Sequence, residues 1–127
     1  MSRRRSIEVP GLHHDTPIPQ ACVVGNLLVS GGISGADPAT GEIPAAPGEQ
    51  AAGIFANVAR VMEAAGGSLE DVVKMTFFVR DRAVRSFIDP EWLKAFPDET
   101  SRPARHTLKI DLPPRFEMQA EVIALLG

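Results

Sequence analysis

Tyrosine is missing from this chain, cysteine and tryptophan occur once each, and histidine only three times. Each shortage excludes something. A lone Cys22 allows no internal disulfide and no thiolate metal cluster within one chain, which fits a reducing compartment. His13, His14 and His106 show no ligand-like spacing, so no metal site is expected. No apolar run approaches the roughly 18 residues of a membrane span. The basic start, Met-Ser-Arg-Arg-Arg, lacks the apolar stretch of a signal peptide behind it. An excess of positive charge is missing too: 13 Lys and Arg stand against 16 Asp and Glu, a net charge of −3. With that balance and few rings for stacking, no nucleic-acid footprint is present. The expectation is a soluble cytoplasmic protein with neither nucleic-acid nor membrane partners.

What remains is ordinary globular material. The 127 residues suit a single domain, 1–127, burying about two-thirds of its unfolded surface. Residues 5–9 read as a short first strand, and a polar, proline-punctuated stretch follows from Gly11 to Pro19. Apolar runs at 20–24 and 27–31 flank Gly25-Asn26, a hairpin signal. Asp37-Pro38-Ala39-Thr40-Gly41 marks a tight surface turn. Ala51, Phe55, Val58, Ala59 and Met62 form one apolar stripe, predicting a helix over 48–65 that Gly66-Gly67 stops. The β-branched and aromatic run 71–80 predicts a central strand. A second helix is expected over 83–96, with Asp89-Pro90 as N-cap and N1 of its main part and Phe87, Ile88, Trp92, Leu93 and Phe96 buried.

The last segment reads as a hairpin, from Arg102-Pro103-Ala104-Arg105 through a Pro113-Pro114 turn to Leu126. Period two puts Arg105, Thr107 and Lys109 on one face, with Glu117, Gln119 and Glu121 of the returning arm. His106, Leu108 and Ile110 join Met118, Ala120 and Val122 on the other, apolar face. The fold class is α+β: one mainly antiparallel six-stranded sheet with two helices on one face. The uncovered face, with Cys22, Val24, Thr76, Phe78, Arg105 and Gln119, calls for a second subunit.

The chain resembles the Rid family of reactive imine and enamine deaminases, formerly YjgF and once labelled endoribonucleases. The likeness rests on Pro19-Gln20-Ala21, Val24-Gly25-Asn26-Leu27, Ser30-Gly31-Gly32-Ile33, Asp37-Pro38-Ala39-Thr40-Gly41-Glu42, Phe55-Ala56-Asn57-Val58, Ala64-Ala65-Gly66, Asp71-Val72-Val73-Lys74-Met75-Thr76 and Pro103-Ala104-Arg105, in order and spacing over nearly the whole chain. It implies a chorismate-mutase-like fold, a homotrimer built around a central barrel, and ligand clefts between subunits. The implied reaction is cofactor-independent hydrolysis of 2-imino acids to 2-keto acids and ammonia. The family's carboxylate-binding arginine falls on Arg105. Four positions depart from the pattern. Ile18 stands for the pocket tyrosine, His106 for a serine, Thr107 for a cysteine found in some members, and Gln119 for the glutamate held to move protons.

The candidate site is therefore Arg105, Gly31, Gly32, Ile18 and Ala104 for binding, with Gln119 and Glu121 for catalysis. A guanidinium fork fits a carboxylate in bidentate geometry, although an intersubunit salt bridge to Glu117 or Glu121 would also use it. Gln119 can orient a water or an imine nitrogen; its amide cannot carry a proton. Glu121 is either a substitute acid or a structural ion-pair residue. Gly31-Gly32 offers backbone groups to a small ligand or is a plain bend. His106, on the opposite parity from Arg105, is expected to be buried on the helix side. Beside the deaminase reading stands a non-catalytic binder of small carboxylates.

Overall fold

Val72–Val79 alternates as a strand with one apolar face: Met75, Phe77 and Val79 are fully buried on one side, while Thr76 and Phe78 face the other. In the computed structural model, which describes residues 3–12 and 14–127, this strand is β4 of a six-stranded sheet. The order is β1 (Arg4–Ile7), β2 (Ala21–Val24), β3 (Leu27–Ser30), β6 (Met118–Leu125), β4, β5 (Ala104–Lys109). All neighbours run antiparallel except β4 and β5. Helices α1 (Pro47–Ala64) and α2 (Arg85–Ala95) complete the layers, and their buried residues join those of the sheet in one core. Neither helix is long and apolar enough to cross a membrane.

Local chemistry accounts for the boundaries. Gly25 at φ 62° opens the β2–β3 turn, with Val24 opposite Leu27, a type II′ pattern that follows the twist of the strands. Pro47 begins α1, where its missing N–H costs no hydrogen bond. Gly66 at φ 88° ends it, and the next N–H, that of Gly67, returns to the Met62 carbonyl. Phe55 of α1, Phe77 of β4 and Phe96 after α2 meet at 5.8 and 6.4 Å, and Trp92 stacks edge-on to Phe96 at 4.8 Å. This aromatic cluster fixes both helices against the sheet.

Three expectations are corrected. The last two strands do not form a hairpin: β4 lies between them, pairing parallel with β5 and antiparallel with β6. The reason is the β4–α2–β5 crossover, which returns the chain in the same direction. The 110–117 connection then passes across the end of β4, where Arg80 Nη2 donates to the carbonyls of Leu112, Pro113 and Phe116 at 3.1, 2.5 and 2.8 Å. Second, Asp89-Pro90 does not begin a helix. Pro90 lies inside α2, which follows a short 3-10 turn capped by Asp81, and Phe87 and Leu93 are exposed.

Third, the faces of β5 are exchanged. Arg105 pairs with Met75 and so looks to the helix side, while His106 and Leu108 pair with Thr76 and Phe78 and look away from it. His106 is exposed rather than buried. The helix-free face is strongly apolar: Leu27, Val29, Ile123, Leu125 and Leu108 are all exposed there, beside half-buried Phe78 and Cys22.

Candidate functional site

Three buried amides shape the end of the sheet where β3 gives way to the glycine stretch. Gln20 accepts from the Val9 N–H at 2.7 Å and donates to the Leu12 carbonyl at 2.6 Å, holding the N-terminal arm beside β2. Asn57 of α1 donates to the carbonyls of Ser34 and Ala36, both at 2.8 Å. Gln50 of α1 donates to Pro44 and Arg115 carbonyls at 2.7 and 3.2 Å and accepts from the Glu117 N–H at 2.9 Å. Glycine permits the same convergence. A Cβ on Gly53 would lie 2.5 Å from the Gly35 carbonyl oxygen, so helix and loop touch backbone to backbone. Gly11, at φ 87°, sits directly against the Pro38 carbonyl and seats the arm on the 38–41 turn. That turn is tied internally by Asp37, whose Oδ1 accepts from the Ala39 N–H at 2.9 Å.

The result is a cleft of about 570 Å³ between the arm, the 32–34 stretch, the 38–43 turn and the connection before β6. Its size suits a small metabolite. On its floor the Gln119 Oε1 lies 3.1 Å from where a Gly32 Cβ would be. Neither the Gln119 amide nor the Gly32 backbone is hydrogen-bonded to the described residues, so both are open to a ligand. Arg115 contributes a cation stacked on Phe116 at 5.0 Å and joined to no acid among the described residues. His14 lines the wall, with its Nε2 shut off from water and without a partner among the described residues. A buried polar atom left so costs about 1–3 kcal/mol.

The sequence-predicted residues divide into two places. Gly32 and Gln119 line this cleft, with Gly31 adjacent in the chain; Ile18 is exposed at 53% and stands outside the lining. Arg105 is elsewhere. Its Nη2 donates to Asp89 Oδ1 of α2 at 2.7 Å, and its Cζ lies 5.0 Å from the Trp92 ring centroid. Ala104 precedes it on the edge strand. Glu121 is half-buried on the helix-free face opposite Thr76, making no ion pair among the described residues. The shared face expected for Arg105, Gln119 and Glu121 is thus corrected. Arg105 sits on the other side of the sheet, two strands over (about 9.6 Å) and three residues along (about 10 Å).

A second groove of about 390 Å³ runs between the 69–73 and 95–103 segments. Several of its polar groups are taken. Arg102 donates to the Phe96 and Pro97 carbonyls, and Thr100 donates to Asp98, holding that carboxyl below its ordinary value. Among the described residues, no three His, Cys, Asp or Glu side chains converge as metal ligands.

Gln20, Gln50, Asn57 and Arg115 were not singled out as site residues from the sequence. Gln50 and Asn57 did leave a signal, because they interrupt the apolar stripe of α1 at positions that must be buried. Arg115 left none.

A single sheet with two helices and a cleft walled by glycine and amide groups defines a class of small α+β proteins. Residues 14–126 match the family model described as Endoribonuclease L-PSP. The chain is 32% identical over 111 residues to 2-iminobutanoate/2-iminopropanoate deaminase of Escherichia coli, covering 86% of this chain and 87% of that one. The crystal structure of the Escherichia coli YjgF gene product superposes with a TM-score of 0.86 at 29% identity, covering 95% and 98% of the two chains. Escherichia coli TdcF with bound serine gives 0.87 at 28%, covering 97% and 99%. This chain belongs to the L-PSP family, the YjgF or Rid family.

Proposed function

We propose that the protein hydrolyses a reactive 2-imino or enamine carboxylate to a 2-keto acid and ammonia, without a cofactor, in a cleft completed by a second copy of the chain. In this reading Arg105 and the backbone near Ala104 hold the carboxylate, and Gly31, Gly32 and Gln119 of the neighbouring copy hold the imine and the attacking water. Ile18 borders the site. Glu121 faces the seam as an ion-pair residue or a secondary acid. The observation that carries the reading is the unbonded Gln119 amide over the unbonded backbone of Gly32, in a cleft of metabolite size.

Association supports it in two ways. Arg105 and Gln119 lie on opposite faces of one sheet, so a second copy offers the route by which they meet. The helix-free face is apolar, and β5 ends the sheet with an unpaired edge. A homotrimer in a reducing cytoplasm is the assembly and setting proposed.

The test is the decay of freshly generated 2-iminobutanoate. Acceleration that Arg105→Ala removes is the expected result; an unchanged decay, beside an active control deaminase, overturns the reading. A non-catalytic binder of 2-keto acids is the second reading, favoured by Gln119 at the acid position and by Asp89 already holding Arg105. Saturable calorimetric binding of 2-oxobutanoate without turnover would select it. RNA cleavage has less support, since the chain is acidic and, among the described residues, no His/Lys cluster lines the cleft.

A further inference from the structure

A substrate gripped by one carboxylate leaves its far end for the cleft to choose, and a charged group there is still unpaired. Arg115 lines the cleft from the connection before β6, and its guanidinium is joined to no acid among the described residues. Asp15 is the one acidic side chain in the same lining, and it makes no ion pair with Arg115. The residue is nonetheless well placed. Its backbone carbonyl accepts from the buried Gln50 amide at 3.2 Å, and its Cζ lies 5.0 Å from the ring centroid of Phe116, also in the lining. Arg80 holds the chain on either side through the Pro113 and Phe116 carbonyls. None of these contacts uses a guanidinium N–H of Arg115, so its donor fork remains for a ligand. The neighbouring groups say which anion it suits. The 38–43 turn spends N–H groups internally: Ala39 on Asp37 Oδ1, Thr40 and Gly41 on the Asp37 carbonyl, Glu42 on Thr40 Oγ1. Gln20 uses both ends of its amide on the arm. A phosphate draws on several converging N–H groups, whereas a carboxylate matches a single fork through two parallel hydrogen bonds.

We infer that Arg115 is a second carboxylate-binding residue, and that the cleft selects imino or enamine acids carrying a carboxylate at each end. The inference rests on the reading above, in which Arg105 of a neighbouring copy holds the first carboxylate. The reacting carbon then lies between the two guanidinium groups, beside Gln119 and Gly32. Oxidation of an amino dicarboxylate at its α carbon gives a compound of this shape, and hydrolysis turns it into a 2-keto dicarboxylate. Arg115 is an exposed residue, so its preference for the second charge should weaken as salt rises.

The experiment compares 2-oxoglutarate with 2-oxopentanoate by titration calorimetry, two keto acids of equal chain length that differ in the far carboxylate. The unaltered protein is expected to bind 2-oxoglutarate about tenfold more tightly at low salt, and to lose part of that ratio at high salt. Arg115→Gln is expected to bring the ratio to about one, and Arg115→Lys to keep part of it. Both variants should melt like the parent, since Gln50 holds residue 115 through its backbone. The kcat/KM values for the imines freshly generated from glutamate and norvaline should follow the same order. An active protein without the preference, or one whose preference survives Arg115→Gln, makes Arg115 a surface cation only and overturns this assignment alone. A preference that Arg115→Gln abolishes, beside imine decay that the protein leaves unchanged, keeps the second carboxylate site and overturns hydrolysis. A protein that binds neither keto acid and leaves imine decay unchanged overturns both.

Discussion

Nη2 of Arg105 donates to Oδ1 of Asp89 at 2.7 Å, so the edge strand and α2 share one ion pair. It is a single contact, not a bidentate one, and the Asp89 side chain is 57% exposed. Such a pair stabilises the fold by less than about 1 kcal/mol. A ligand carboxylate would compete with Asp89 for the same guanidinium. Asp89→Asn is therefore expected to tighten 2-oxobutanoate binding severalfold with an unchanged melting temperature. Arg105→Lys, which keeps the charge but loses the fork, should weaken it by about tenfold or more. Titration calorimetry on the two variants decides, and equal affinities would remove Arg105 from the site.

Two glycines near the cleft should answer differently to alanine. At Gly32 the added methyl meets the movable end of Gln119 at 3.1 Å, so the fold survives while the amide is displaced. At Gly35 it meets backbone atoms of Gln50, which cannot move aside. Gly32→Ala is expected to melt like the parent and lose activity. Gly35→Ala should lose about 1–3 kcal/mol of stability through overpacking, as read from urea unfolding.

Gln50→Leu keeps much of the buried volume but leaves the Glu117 N–H and the Pro44 carbonyl without their partner. Each buried group so stranded costs about 1–3 kcal/mol. The expected loss is about 2–4 kcal/mol, with increased mobility of residues 113–117 in hydrogen exchange. A loss below about 0.5 kcal/mol would mean that water replaces the amide.

The proposed association can be tested on the sheet itself. Val29 and Ile123 are opposite one another on the helix-free face, 43% and 39% exposed in the single chain. Val29→Lys/Ile123→Lys places two like charges there. Sedimentation velocity should show a trimer for the parent and a monomer for the double variant, with imine hydrolysis lost alongside. Parent protein that sediments as a monomer contradicts the composite site.

Much of the fold was legible in the sequence because its signals are local. The stripe Ala51–Met62, the Gly66-Gly67 stop and the alternation in 71–80 each report the burial of their own element, and the elements lie within a residue or two of expectation. The pairing of the last strands was not, because alternation says which residues share a face and not which strand lies alongside. The strand–helix–strand order of β4, α2 and β5 carried the missing information. The face of β5 was misread for a related reason: Leu108 and Ile110 suggested a core side, but at the sheet edge the rule reverses. The helix side there meets Asp89 and Trp92, which suit Arg105, while Leu108 looks to the apolar open face. Gly32 and Gln119 stood out in the sequence and line one cleft, but the sequence could not show that Arg105 lies across the sheet from them.

Met118–Leu125 is the last strand along the chain and yet lies between β3 and β4. During synthesis, the pieces that flank it would each wait with an unzipped, strongly apolar border until these residues leave the ribosome, a state open to aggregation. Nascent chains halted before Met118 should thus be protease-sensitive throughout, and those halted well beyond Leu125 resistant in one step.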